Sequence, residues 1–308
     1  MRRISEIFIN GVCLEEILED HKRWLNNEGG KRANLMSVDL SSVDLSNANL
    51  RNANLTDTIL RHTNLTGADL SGTDLELVDL TGAILIGTNL RNSNLDYSIL
   101  MGIDLTDADL SYSELNGVDL RSAILIGAKL IGADLSCAKL NSAILTNADL
   151  TDADLTVANL NGTNLMNIKL NGANLKFADL TGAKLSRSDL ENVKYNSRTS
   201  FFAMQCPEKG SFIGYKRANN KIVELLITED SKRSSATSRK CRCSKAKVLS
   251  ITDIENTEEY NEVVSNYDNN FIYRVGETVE VKDFDDDRWK ECSTGIHFFI
   301  TRDEAVIY

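Results

Sequence analysis

The chain has 308 residues, 26% of them charged, a single proline and a formal net charge of −11. No apolar run reaches the ~18–20 residues that a bilayer span needs, and the six unevenly placed cysteines read as free thiols rather than a disulfide framework. The acidic excess lies on residues 33–195, with 11 basic and 20 acidic side chains against 17 and 19 over residues 196–308 and six of each over residues 1–32, so direct nucleic-acid binding by that middle stretch is not expected.

Residues 1–32 read as a helical cap. Ser5 to Ile9 is expected as a short strand. From Val12 to Asn26, the side chains of Val12, Leu14, Ile17, Leu18, His21, Trp24 and Leu25 share one helical face. Asn10 is the expected N-cap, and Asn27, Gly29 and Gly30 a stop. His21 and Trp24 are expected to pack within the cap. The basic N-terminus is interrupted by Glu6, Glu15 and Glu16 before a secretory apolar core forms, so a cytoplasmic location is expected.

From Leu35 to Leu190 every fifth residue is leucine, 32 in succession without an insertion. A period of five fits neither a helix nor a flat strand. Two residues before each leucine stands a small or β-branched residue, as at Ala48, Thr63 and Val78, and the residue between them is usually Asp or Asn. Such a triplet is a three-residue strand with both apolar groups on one side. Gly, Asn, Asp and Ser then supply a turn, glycine standing three residues before leucine eleven times.

The Ala-(Asp/Asn)-Leu-x-x consensus, as in Ala68-Asp69-Leu70-Ser71-Gly72 and Ala173-Asn174-Leu175, resembles the pentapeptide-repeat proteins. That resemblance implies a mainly β fold: a right-handed, four-sided parallel β-helix of about eight coils, with four pentads per coil. Inside the chain, Ala83-Ile84-Leu85-Ile86-Gly87 recurs at Ala123-Ile124-Leu125-Ile126-Gly127, 40 residues or two coils on. The leucines are expected to fill a structural core with no catalysis in it.

In a 20-residue register Asp74, Asn94, Glu114, Asp134 and Asp154 form an acidic surface column, and Asp39, Asp79, Asp119 and Asp179 fall in another. A third holds Ile84, Asp104, Ile124 and Ile144, flanked by Ile86, Ile126 and Met166. Aligned outward apolar groups point to an interface, either a homodimer or a seat for residues 196–308.

The grid fails after Leu190. Tyr195 takes the next central position, and Phe201 and Phe202 read as plugs for the open coil. Residues 196–308 are expected to form a β-rich α+β domain. A hairpin turns at Asn219-Asn220, with Phe212 onward and Ile222–Ile227 as its strands. Further strands are expected at Lys245–Ile251, Phe271–Val275, Thr278–Val281 and Ile296–Ile300. Thr252–Val264 is expected to be helical or irregular, and Thr301-Arg302-Asp303-Glu304 to start a final helix through a capping box. The stretches 232–242 and 292–302 resemble an uncharacterised domain that follows pentapeptide repeats in bacterial and phage proteins, which implies an architecture and no activity.

Four features of this domain bear on chemistry. Lys232, Arg233, Arg239, Lys240, Arg242, Lys245 and Lys247 form a basic patch without an acidic residue, a candidate phosphate or nucleic-acid surface read foremost as a solvated loop and strand or a segment that docks on the acidic repeat. Cys241, Cys243, Cys292 and His297 offer a zinc-type ligand set at unusual spacings, and structural thiols are the favoured reading. Cys292 with His297 is also a thiol–imidazole pair without a visible acid or oxyanion donor. Asp283, Asp285, Asp286 and Asp287 read as an acidic turn rather than a calcium loop.

No cofactor and no enzymatic activity are expected. The expected function is a protein–protein interaction scaffold, a rigid acidic rod that positions a small domain and dimerises. Resemblance to the quinolone-resistance members of the family implies an alternative, an acidic β-helix that mimics duplex DNA and binds DNA gyrase or a related topoisomerase. A metal-binding or enzymatic C-terminal domain is a third reading.

Overall fold

A computed structural model of the chain describes residues 1–308 apart from Phe201, Ala203, Ala236 and Glu291. The chain divides into two compact units, Met1–Ser200 and Phe201–Tyr308.

The first unit starts with a 3-10 turn at Ile4–Glu6, then β1 (Phe8–Ile9), β2 (Val12–Cys13) and α1 (Leu14–Leu25). Asn10 is not the helix cap: Cys13 takes that place. Asn10 and Gly11 instead form the two-residue turn of a hairpin pairing Phe8 with Cys13, both at positive φ. An Asn-Gly pair suits that mirror-image turn. Val12 is accordingly exposed, while Leu14 and His21 are buried. His21 accepts a hydrogen bond from Ala33 N at 3.1 Å and stacks on Trp24 with ring centroids 5.5 Å apart, tying the helix to the start of the repeat. Burial lowers its pKa, against the Arg51 backbone, which raises it, with Arg32 lowering it further.

The repeat is a right-handed four-sided β-helix. Every bridge between coils from Asn34↔Asn54 to Asn174↔Lys194 joins residues 20 apart in parallel. In each, the leucine N–H donates to the next coil and the bridging residue of that coil donates back, as Leu35 N to Asn54 O (2.8 Å) and Asn54 N to Ala33 O (3.0 Å). The leucines from Leu35 to Leu185 are buried, with the small residues two positions earlier beside them. Inner threonine hydroxyls bond to the coil below: Thr58 Oγ1 donates to Leu35 O at 2.8 Å, and Thr63 and Thr73 repeat the bond one and three pentads on. At ~4.8 Å per coil, eight coils stack to roughly 40 Å.

Each pentad closes with a turn such as Ala48 N to Leu45 O (3.1 Å). The second residue after every leucine has positive φ, near 55–70°. That requirement explains the glycines, which have no Cβ to clash there. Past Leu190 the ladder gains a residue. Ser200 bridges Asp179, Thr199 is buried with its hydroxyl on Leu175 O (2.8 Å), and Tyr195, expected inward, is exposed.

The second unit contains β3 (Phe212–Ala218), β4 (Lys221–Ile227), β5 (Arg233–Ser235), β6 (Cys241–Cys243), β7 (Lys245–Asp253), β8 (Glu262–Val264), β9 (Ile272–Arg274), β10 (Thr278–Glu280), β11 (Ile296–Phe298) and α2 (Arg302–Ile307). One antiparallel sheet has the order β10-β7-β4-β3, another β11-β6-β5, and β8 pairs with β9. β3 and β4 turn at Asn219 and Asn220, both at positive φ, as the hairpin reading requires. Thr301 caps α2 in a full capping box with Glu304. The basic stretch contributes two short strands, β5 and β6, before β7, and residues 254–261 between β7 and β8 are irregular. Val223, Leu225, Ile227, Cys241, Cys243, Val248 and Phe298 form the core. Of the expected plugs, Phe201 lies outside the described residues, and Phe202 packs within this unit against Trp289, ring centroids 5.6 Å apart.

Candidate functional site

The outer surface of the β-helix holds the densest pattern. The bridges place Asp74, Asn94, Glu114, Asp134 and Asp154 one above another. Asp74, Asp134 and Asp154 each accept the backbone N–H two residues on, for example Thr156 N at 2.8 Å. Among the described residues, none of Asp74, Glu114, Asp134 and Asp154 is in an ion pair. Some acids elsewhere on the coil are ion-paired: Asp79 with Arg61 at 2.6 Å, Asp109 with Arg91 at 3.3 Å and Asp149 with Lys169 at 3.0 Å. The Arg121 guanidinium beside Asp119 holds that carboxyl below the usual range. The acidic surface is thus neutralised in places and left without ion pairs in others, all four acids of this column among the latter.

The isoleucine column aligns as expected. Ile84 bridges Asp104, Asp104 bridges Ile124, and Ile124 bridges Ile144. Ile84, Ile86, Ile126 and Ile144 are each 36–39% exposed, Ile124 and Met166 half-buried. The strip is shallow and is broken by Asp104, whose carboxylate accepts from the Thr106 N–H and hydroxyl.

A second strip stands out more and is absent from the sequence reading. It runs up the turn after the acidic column, through Leu77, Tyr97, Gly117, Cys137, Val157 and Phe177, each 20 residues from the last. Leu77, Tyr97, Val157 and Phe177 are 43–58% exposed. All four have positive φ, a conformation that costs an L-residue roughly 1–2 kcal/mol and is a real outlier for a bulky or β-branched side chain. Large apolar or aromatic groups occupy that turn position at five places, Leu77, Tyr97, Tyr112, Val157 and Phe177, and only Tyr112 lies outside this column. The remaining turn positions carry mostly Gly, Asn, Asp and Ser, which tolerate positive φ. The signal was available from the 20-residue register applied to turns rather than strands.

In the second unit the candidate metal ligands separate. β6 and β11 pair Cys241 with Phe298, Arg242 with His297 and Cys243 with Ile296. Opposed residues share a side, so His297 lies across the sheet from both buried thiols. Cys292 is exposed, and the sulfur that neighbours Cys241 is Cys206, whose acidity the Cys241 thiol increases by hydrogen bonding. Among the described residues no group of three or more His, Cys, Asp or Glu is placed to hold a metal. Cys292 and His297 do line one cavity.

The basic patch is also dispersed. Arg242 is 2% exposed, and its guanidinium donates to the carbonyls of Asp285, Thr294 and Asp287 at 2.8–3.1 Å. Arg233 donates to the carbonyls of Gly210 and Thr228, both at 2.8 Å. Lys232 pairs with Asp286, Arg239 with Glu304 and Lys245 with Asp230, while Lys240 donates to the Tyr308 hydroxyl. Lys247 alone of the seven is exposed and, among the described residues, makes no side-chain hydrogen bond or ion pair. Apart from Lys247, these cations tie separate parts of the domain together and do not converge on one surface. The acidic turn follows the same logic: hydrogen bonds from Ser293, the Asp287 N–H and Lys290 push the Asp285 carboxyl far below its ordinary range.

Comparison with known proteins agrees with this geometry. The family model described as pentapeptide repeats (8 copies) matches overlapping segments from residue 33 to residue 194. A family of unknown function (DUF5758) matches residues 202–305. Among solved structures, a trypsin-treated form of QnrB1, a plasmid-mediated fluoroquinolone resistance protein, is 17% identical over 54% of this chain and 84% of its own, with a TM-score of 0.42. HetL, a pentapeptide repeat protein involved in heterocyst differentiation regulation in the cyanobacterium Nostoc, is 26% identical over 56% of this chain and 92% of its own, with a TM-score of 0.23. No curated protein matches the chain. Among the described residues, no helix is long and apolar enough to cross a membrane.

Proposed function

The chain belongs to the pentapeptide-repeat family, and we propose that it is a non-catalytic protein–protein interaction scaffold whose docking surface is the turn column Leu77–Phe177 with the acidic column beside it. The observation that carries this reading is the exposed, apolar, positive-φ column. A coil that needs only a turn at these positions is served better by Asn or Gly. Bulky apolar groups cost backbone energy there and expose hydrocarbon to water, a combination that favours an interface over a solvated corner.

The bare carboxylates of Asp74, Glu114, Asp134 and Asp154, one strand away, define the partner's chemistry. It presents an apolar strip edged by Lys or Arg, whose charge the acids attract and orient. The isoleucine strip of Ile84, Ile86, Ile124, Ile126, Ile144 and Met166, near the diagonally opposite corner of the coil, is proposed as a second and weaker contact, suited to homodimerisation.

The test is a variant with Leu77, Tyr97, Val157 and Phe177 all changed to Asn, which keeps the turns. Partner capture by the full chain, and its molar mass by light scattering, are compared with and without the changes. Loss of partner capture supports the reading. Loss of self-association instead makes the column a dimer contact. Unchanged capture and unchanged mass reject the surface.

The bare acidic column also favours a second reading, a surface that stands in for DNA on a type II topoisomerase. Gyrase supercoiling with a micromolar excess of the protein decides it; no inhibition and no protection removes it.

A further inference from the structure

The second unit buries a lysine that neither its strand nor its sheet explains. On β3, Gly214, Lys216 and Ala218 alternate inward, and Lys216 is only 8% exposed. Its Nζ donates to the His297 carbonyl at 3.4 Å and lies 5.8 Å from the centroid of the Tyr273 ring. Among the described residues no carboxylate is within ion-pair distance of it. Lysine is almost never this buried without a partner, because removing a charge from water is costly.

Lys216 lines a cavity of about 700 Å³ together with Lys240, His297 and Tyr308. An adjoining space of about 420 Å³ is lined by the same four residues with Arg217 and Asn220. Lys240 likewise has no carboxylate partner among the described residues; its Nζ donates to the Tyr308 hydroxyl at 2.9 Å and lies 4.9 Å from that ring. Burial, and then the nearby charge of Lys240, bring the Lys216 amine down to about 8, with Cys243 acting the other way. The volume suits a small organic ligand. Tyr267, Phe271 and Tyr273 supply aromatic wall for its body; Asp268, Glu280 and Asp283 also line the cavity, and among the described residues none of the three is ion-paired with Lys216 or Lys240.

We propose that this cavity binds a small molecule through an anionic group, a phosphate or a carboxylate, which provides the missing counter-ion for Lys216 and Lys240. The ligand's charge meets two fixed donors in a partly desolvated space, where charge-assisted hydrogen bonds are strong. Lys216 and Lys240 are binding residues in this account, and no reaction is assigned to them.

Calorimetric titration of the full chain at pH 7 with inorganic phosphate, and separately with malonate, tests the proposal and distinguishes the two anions. One saturable site is expected in at least one arm. Lys216→Met and Lys240→Met are expected to weaken it by roughly tenfold or more, while Lys247→Met, on an exposed strand position, leaves it unchanged. Circular dichroism on each variant checks folding, and the more accessible Lys240→Met carries the test if Lys216→Met does not fold. No saturable binding in either arm, or an equal loss in Lys247→Met, overturns the proposal.

Discussion

Tyr97 lies across Gly117 of the next coil, so close that a Cβ on Gly117 would stand 2.8 Å from Tyr97 Cδ1. The glycine that interrupts the apolar column is therefore covered by the aromatic ring below it, and the column continues through Cys137 to Val157 and Phe177. Gly117→Ala meets two costs, the positive φ of +64° and the displaced ring. Gly102→Ala meets only the first, since nothing lies within 4 Å of its missing Cβ and its φ is +61°. Gly102→Ala is expected to lose about 1 kcal/mol, and Gly117→Ala measurably more, by thermal unfolding. Equal losses would show that the ring does not rest there.

The same column yields a prediction of unusual sign. Val157→Asn and Leu77→Asn each remove an exposed apolar group and replace it with a residue at ease at positive φ. Each is expected to raise stability, by up to about 1 kcal/mol, while weakening association. An interface variant that destabilised the isolated protein would instead mean that these side chains are held by their neighbours along the coil. Melting temperature and partner capture on the same samples separate the cases.

The repeat was open to sequence reading because one residue type marks every pentad and the isoleucine segments repeat at two-coil spacing. What the grid conceals is the turn. The eleven glycines report a positive-φ position, but only the coil register reveals that Leu77, Tyr97, Val157 and Phe177 share one corner. Asn10-Gly11 carried a hairpin signal that the longer helical pattern masked. In the second unit the Asn219-Asn220 hairpin and the Thr301 capping box are local and therefore legible. Arg242 is not: between two cysteines it reads as a surface charge, and its burial depends on the carbonyls of Asp285, Asp287 and Thr294, which only the fold brings to it. Lys216 is hidden for the same reason, since a strand's alternation does not say which side is inside.

Leu110 tests the core of the coil stack. It is fully buried, and its N–H donates to Lys129 O at 2.7 Å through the backbone, which substitution leaves intact. Leu110→Ala is expected to cost ~2–5 kcal/mol through the cavity it opens between adjacent coils. Leu110→Lys buries an unpaired charge instead and is expected to unfold the coils around it. Amide exchange centred on residues 90–130 reads both, and uniform exchange along the whole repeat would show that the coils unfold as one unit.

Lys216 links the proposed ligand cavity to stability. The unfolded chain keeps this amine protonated to its ordinary value of 10.5, the folded unit only to about 8. Between those values the unfolded chain binds more protons, so stability rises with pH. Below about 8 the cost of the buried charge is present in full, about 3 kcal/mol by the ordinary conversion. Lys216→Met removes that cost while filling much of the same space. The variant is expected to be more stable than the parent at pH 7, by up to about 3 kcal/mol, with the advantage shrinking as pH rises through 8 toward 10.5. Urea unfolding at pH 7 and pH 9.5 in a Trp24→Phe background, where Trp289 is the remaining tryptophan and reports on the second unit, measures the difference. An advantage that is absent at pH 7, or that does not change with pH, would mean the amine is balanced by a partner of its own, and the cavity would then have no unmet charge to offer a ligand.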